Sequence, residues 1–187
     1  MGRLRAIITD FDGTLVNTLT ANSLAYSDAF DNFGIKLSEN EYKERYGLRY
    51  DDLCKSLGII DDNIKKGVKE LKAKLYPQYF YCIKVNEELL KFIIFCKRQG
   101  IKTCIASTAS KVNLYGVLNY FHLTDYFDII ISGEDVNYGK PNPEVYLKAL
   151  NVLECEPDEV LVFEDSEVGC EAAEAANISY IKIRNFA

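Results

Sequence analysis

Asp10 and Asp12 stand two residues apart in Asp10-Phe11-Asp12-Gly13-Thr14. Two carboxylates across a tight turn can divide labour, one attacking as a nucleophile and the other moving a proton. Further along, Ser107-Thr108 offers hydroxyls, Gly139-Lys140-Pro141-Asn142-Pro143 a cation, and Glu164-Asp165-Ser166 a second acidic pair. Like charges that share a half-buried site repel unless a cation gathers them. Asp10, Glu164 and Asp165 together therefore suggest an oxygen-ligand site for Mg²⁺, a hard cation that binds through few carboxylates plus water and phosphate. At such a site a carboxylate can split phosphate-ester cleavage into two steps through an acyl phosphate. The neighbouring carboxyl would protonate the leaving oxygen and then activate water. Lys140 and the Ser107 hydroxyl suit the remaining phosphoryl oxygens, and the backbone N–H groups of Phe11, Asp12 and Gly13 could form a nest for anions.

These residues come from distant parts of the chain, so the elements around them must bring them together. Leu4 to Thr9 is a short apolar run that reads as a buried strand ending at Asp10, and Gly13 breaks the pattern as a loop residue should. From Thr18 to about Phe80 the sequence is helical in character, with candidate helices at about 18–33, 39–46, 49–57 and 61–80. Ser38 before Glu41 forms a capping box, and Pro77 should end or kink the last helix. After residue 85 the periodicity changes. Helices are expected at 86–98, 111–120, 143–151 and 167–176, alternating with strands at 102–107, 127–132, 160–164 and 180–183. Such alternation implies parallel βαβ units with both sheet faces covered. The fold class expected is α/β, a Rossmann-like parallel-sheet core (1–16 and 85–187) with an all-helical cap (17–84) inserted after the first strand. In such sheets ligands bind beyond the carboxyl ends of the strands. All the chemistry-bearing segments above fall there.

Bulk properties exclude several alternatives. The 187 residues carry 22 Lys and Arg against 28 Asp and Glu, a net charge of −6, so a basic nucleic-acid-binding face is not expected. No run of 18 apolar residues predicts a membrane span. The start at Met1 leads straight into the first strand without the apolar stretch of a signal peptide, so a cytoplasmic protein is expected. Six cysteines form no C-x-x-C pair and read as buried reduced thiols. The single His122 lies in Tyr120-Phe121-His122-Leu123, a packing segment, so proton transfer is expected to run on carboxylates.

The order and wording of these segments resemble the haloacid dehalogenase superfamily. DFDGT (10–14) looks like its first motif, IAS (105–107) its second, GKPNPEVY (139–146) its third and FEDSEVG (163–169) its fourth. The resemblance implies Asp10 as nucleophile and metal ligand, and Asp12 as acid/base that also offers its carbonyl to Mg²⁺. It implies Ser107, with Thr108 beside it, as phosphate-binding, and Lys140 as the cation between nucleophile and phosphate. Asp165, helped by Glu164, is the implied metal-binding acidic pair. Family members that cleave carbon–halogen bonds lack an acid two residues after the nucleophile, so Asp12 favours phosphoryl transfer.

The helical insertion resembles the small cap of this superfamily, which closes over the cleft and selects the substrate. Arg49 in Arg49-Tyr50-Asp51-Asp52-Leu53 resembles the substrate loop of β-phosphoglucomutases, and Lys72 a cap lysine of that group. Three features depart from the mutases. Asn22 replaces a His four residues beyond Thr18, Asn17 replaces an Asp, and the interval from Gly47 to Arg49 is one residue shorter. The resemblance thus implies a Mg²⁺-dependent phosphatase acting on a small phosphorylated metabolite such as a sugar phosphate. Phosphohexose mutase is the alternative, and a catalytically silent binding protein on the same fold the remaining one. A cap that must move suits a monomer.

Overall fold

The computed structural model describes residues 3–184. Met1 and Gly2, on which part of the expectation about the chain's start rests, lie outside them. The chain divides into two compact units, one running to Asn17 and resuming at Lys84, the other spanning Thr18–Ile83.

The first unit is built on strand β1 (Ala6–Thr9), followed by β2 (Val16–Asn17), which pairs antiparallel with β3 (Lys84–Val85) where the chain returns. The remaining strands are β4 (Lys102–Ala106), β5 (Ile129–Ile131), β6 (Val160–Glu164) and β7 (Ser179–Lys182). Five strands form one parallel sheet in the order β5-β4-β1-β6-β7. Crossovers step first to one side of β1 and then to the other, so the crevice at its carboxyl end is where such sheets bind ligands. Every residue of β1 is buried, as befits a central parallel strand covered on both faces. On one face Ala6, Ile8, Cys104, Ala106, Val160 and Val162 pack with the apolar sides of helices α7 (Glu144–Leu153) and α8 (Glu167–Ala175). Helices α5 (Glu87–Arg98) and α6 (Lys111–Tyr120) join the strands of the β4–β5 side.

Most expected elements appear within a residue or two, while the helix expected at 39–46 stops at Lys43. The expected helix 61–80 divides into α4 (Asp62–Leu75) and a 3₁₀ segment, Tyr76–Cys82, with Pro77 in its first turn, where a missing N–H costs no bond.

The second unit holds α1 (Leu19–Asp31), α2 (Glu39–Lys43), α3 (Tyr50–Ser56) and α4, and has its own core of Ala29, Phe30, Leu37, Tyr42, Leu53, Cys54, Ile59 and Val68. Ser38 and Glu41 make the expected reciprocal cap at the start of α2. All six cysteines are free, five of them buried. Among the described residues no helix is long and apolar enough to cross a membrane. His122 is exposed in a left-handed turn just after α6.

Candidate active site

Strand register sets the first layer of the site. Thr9 lies beside Ile105 on one neighbour and Phe163 on the other. Asp10 and Glu164, one residue onward, and Ser107, two residues beyond Ile105, therefore emerge at one edge. The Asp10 N–H donates to the Phe163 carbonyl at 2.9 Å and the Ser107 N–H to the Ile131 carbonyl at 3.0 Å, so both positions are held by backbone bonds just past the strand ends.

Asp10 begins a tight turn. The Val16 N–H donates back to the Phe11 carbonyl at 3.0 Å, and the Gly13 N–H donates to the Val16 carbonyl at 2.8 Å. Phe11 is buried and Asp12 half-buried in this turn. Gly13 departs from expectation as an anion donor, because its N–H already serves the turn. Its contribution is space: it sits at φ +93°, and a Cβ there would overlap the Asp165 carboxylate. Thr14 donates its hydroxyl to Asp165 Oδ1 at 2.8 Å, fixing that carboxylate against the turn.

Lys140, on the loop before α7, reaches Asp10 Oδ1 at 2.5 Å and also contacts Glu164 Oε1. Glu144, at the start of α7, closes that loop by accepting from the N–H groups of Asn137 and Tyr138 at 2.9 and 2.7 Å. The side chains of Lys140, Asp10 and Glu164 are only 6%, 10% and 1% exposed. Glu164 is the most heavily engaged. Its Oε1 accepts from Lys140 and from the Tyr146 hydroxyl at 3.0 Å, and its Oε2 from the N–H groups of Asp165 and Ser166 and the Ser166 hydroxyl. Gly169 makes room for it, since a Cβ there would run into the carboxylate. Ser166 caps α8 by accepting from the Gly169 N–H at 3.0 Å. The acidic pair thus organises the helix start as well as the site.

One ammonium cannot neutralise three carboxylates. Burial pushes the Asp10 carboxyl well above the ordinary carboxylate range; Lys140 opposes the shift, and the charges of Glu164 and Asp165 add to it. Burial also raises Asp165, against the Thr14 hydrogen bond that lowers it. Burial alone would depress Lys140, but the negative charge of Asp10 beside it, with that of Glu164, holds it an ammonium.

Carboxylate oxygens of Asp10, Glu164 and Asp165 lie within 4.8 Å of one another. The donor set is all oxygen and carries excess negative charge. Described donors reach only one oxygen each of Asp10 and Asp165. These features fit a hard divalent cation. Glu164 fits less well as a direct ligand, since both its oxygens already accept hydrogen bonds.

Ser107 is buried, and its Oγ accepts from the Ala109 N–H at 3.0 Å, which leaves its proton to donate. Gly133 lets the Ser107–Ala109 loop pass close: a Cβ would overlap the Thr108 carbonyl, and its N–H donates to Ala109 at 2.7 Å. Arg49 and Lys72 belong to the helical unit. Arg49 starts α3 with an extended backbone and no side-chain capping bond. Lys72 is 3% exposed, its ammonium 3.6 Å from the centre of the Tyr76 ring and 5.0 Å from that of Tyr26. Lys66, Lys69 and Lys74 in the same segment are exposed.

Comparison with known proteins agrees with this arrangement. The family model described as haloacid dehalogenase-like hydrolase matches residues 7–183. The phosphorylated carbohydrates phosphatase of Thermotoga maritima is 33% identical over 95% of this chain and 84% of its own. Hexitol phosphatase B of Escherichia coli is 28% identical over 97% of this chain and 84% of its own. The structure of CbbY from Rhodobacter sphaeroides in complex with phosphate superposes with a TM-score of 0.88 at 25% identity, covering 98% of this chain and 87% of that one. The match takes in the acidic turn after β1, the lysine loop and the glutamate–aspartate pair alike, and the chain belongs to the haloacid dehalogenase-like hydrolases.

Proposed function

We propose that the protein is a Mg²⁺-dependent phosphatase that hydrolyses a phosphate monoester of a small metabolite, a phosphorylated sugar by preference, through an aspartyl phosphate on Asp10. The observation that carries this reading is the Lys140 ammonium bonded to Asp10 inside a cluster of three carboxylates, at the strand ends where Ser107 retains a proton to donate. The phosphorylated carbohydrates phosphatase of Thermotoga maritima supports the substrate class.

Asp10 and Asp165 would hold the ion through the oxygens not engaged by Lys140 and Thr14, with the Asp12 carbonyl as a third donor. Glu164 would add charge beside it. When bound, Mg²⁺ screens the repulsion between the anionic nucleophile and the phosphate and steadies charge on the phosphoryl oxygens. An Asp10 oxygen then attacks phosphorus while the ester oxygen leaves with a proton from Asp12. In the second step Asp12 takes a proton from water, whose oxygen attacks phosphorus and returns Asp10 as a carboxylate. Lys140 and Ser107 would bind the remaining phosphoryl oxygens. Lys72 and Arg49 would serve as substrate contacts from the helical unit.

Asn22 favours hydrolysis over mutase chemistry. Its amide donates to the Thr18 hydroxyl at 2.9 Å, and an amide cannot exchange protons as a histidine does. The test is a panel of phosphorylated sugars assayed for inorganic phosphate with Mg²⁺ present, beside glucose 1-phosphate with a bisphosphate activator. Release of phosphate supports the reading. Isomerisation without release would replace it with the mutase, and no turnover of any kind would leave only a binding protein.

A further inference from the structure

Lys140 has two carboxylates within reach, and the proposed chemistry needs it on Asp10. An ammonium between two buried anions settles toward whichever is less satisfied by other donors. The second anion, Glu164, is quieted by its surroundings. Its Oε2 is held by the Asp165 and Ser166 N–H groups and the Ser166 hydroxyl. Its Oε1, the oxygen that faces Lys140, has one other donor: the Tyr146 hydroxyl at 3.0 Å.

Tyr146 stands on α7, one helical turn beyond the Lys140 loop, and is fully buried. Its ring centre lies 5.0 Å from the Lys140 ammonium, so the aromatic face borders the cation while the hydroxyl engages the competing anion. A phenol is protonated at neutral pH, and the hydroxyl donates to the carboxylate. The sequence suggests only an apolar position on the inner face of a helix, with Val145, Ala149 and Leu153 around it in the same core. A phenylalanine would fill that space equally well. The hydroxyl has a different use.

We propose that Tyr146 is a positioning residue: Lys140 bridges Asp10 and Glu164, and by donating to the same Glu164 Oε1 and bordering the ammonium with its ring, Tyr146 weakens the hold of Glu164 so that the bond to Asp10 is kept. The kinetic part of this inference rests on Asp10 being the phosphoryl acceptor; the placement of the ammonium does not.

The test substitutes Tyr146→Phe, which keeps the ring and removes the hydroxyl. Without substrate or metal, proton–nitrogen spectra of the lysine ammonium groups read the environment of Lys140, whose resonance is identified by its loss in Lys140→Ala. That resonance is expected to shift in Tyr146→Phe and to stay put in Leu153→Val, a comparable trimming at the far end of the same helix. With substrate and Mg²⁺, kcat should fall about tenfold, the scale of one hydrogen bond to a charged group, with KM little changed. The double variant Tyr146→Phe/Glu164→Gln should lose no more than Glu164→Gln alone, because the hydroxyl acts through Glu164. An unmoved ammonium resonance, or equal shifts in Tyr146→Phe and Leu153→Val, would overturn the inference. If the wild type hydrolyses no monoester, the functional reading falls, and the ammonium resonance still decides the role of Tyr146.

Discussion

Replacing Asp10 with Asn is expected to stabilise the metal-free protein while abolishing turnover. The repulsions of Asp10 with Glu164 and Asp165, between atoms within 4.8 Å, are each worth at least about 3.5 kcal/mol at an effective dielectric constant of about 20. The Lys140 contact at 2.5 Å returns about 6.6 kcal/mol on the same scale. Attraction and repulsion nearly cancel, and the desolvation of the carboxylate, several kcal/mol for a buried ion, stands unopposed. The amide is nearly isosteric and escapes that penalty, although it gives up a charge-assisted bond. A net gain of about 1–3 kcal/mol follows, seen as a rise of about 3–9 °C in Tm in chelating buffer.

The pH dependence has a definite sign. Burial raises the Asp10 carboxyl in the folded state above its unfolded value of about 3.9. Such a group contributes stability that is fully present below the unfolded value and is lost as pH rises through the folded one. The advantage of Asp10→Asn over wild type should therefore grow from about pH 4 toward neutrality. Mg²⁺ at about 100 times its Kd should return about 2.7 kcal/mol to the wild type, and much less to the variant. Differential scanning calorimetry across pH, with and without Mg²⁺, reads all of this. A variant less stable than wild type at pH 7 in chelator, or an equal response of both proteins to Mg²⁺, would refute the electrostatic reasoning.

Four further outcomes are expected. Asp12→Asn should slow an alkyl phosphate far more than a nitrophenyl phosphate in single-turnover experiments, because the activated leaving oxygen needs little protonation; equal losses would deny Asp12 the general-acid role. Asp165→Ala should weaken Mg²⁺ affinity and turnover together, and Ca²⁺ should inhibit the wild type, since its looser, higher-coordinate shell disturbs in-line geometry. Titration calorimetry and initial rates check both, and unchanged metal affinity in Asp165→Ala would remove that residue from the site. Gly169→Ala should lower stability by about 1–3 kcal/mol in urea denaturation, because its Cβ would overlap the Glu164 carboxylate. An unaltered midpoint would mean that the helix shifts without penalty.

Much of the fold was legible because its elements announce themselves locally. The apolar run ending at Asp10 and the Ser38–Glu41 cap are short-range features, and they fall where the sequence places them; Gly34, Gly47, Gly58 and Gly100, each at positive φ, are equally local punctuation. The convergence of Asp10, Lys140, Glu164 and Asp165 was legible only through their positions at strand ends and the order of the four motifs. What the sequence hides is close approach between distant segments. Gly13 and Gly169 read as a loop breaker and a small helix residue, yet each makes room for a carboxylate. Gly133 does the same for the Ser107 loop. Tyr146 reads as core, and its hydroxyl partner lies 18 residues away. Lys72, in a segment whose other lysines are exposed or half-buried, gives no local sign that its ammonium is buried against Tyr76. The two-residue pairing of Val16–Asn17 with Lys84–Val85 is too short to leave a periodic trace.

The central claim is that Asp10 accepts the phosphoryl group, and rapid acid quench of the enzyme during turnover of a phosphorylated sugar tests it most directly. Digestion and mass spectrometry should find one phosphoryl group on the peptide that carries Asp10, and borohydride reduction of the quenched enzyme should convert Asp10 to homoserine. Neither product should form with Asp10→Asn. Steady release of phosphate by the wild type with no label on Asp10, together with turnover by a clean Asp10→Asn preparation, would contradict the account.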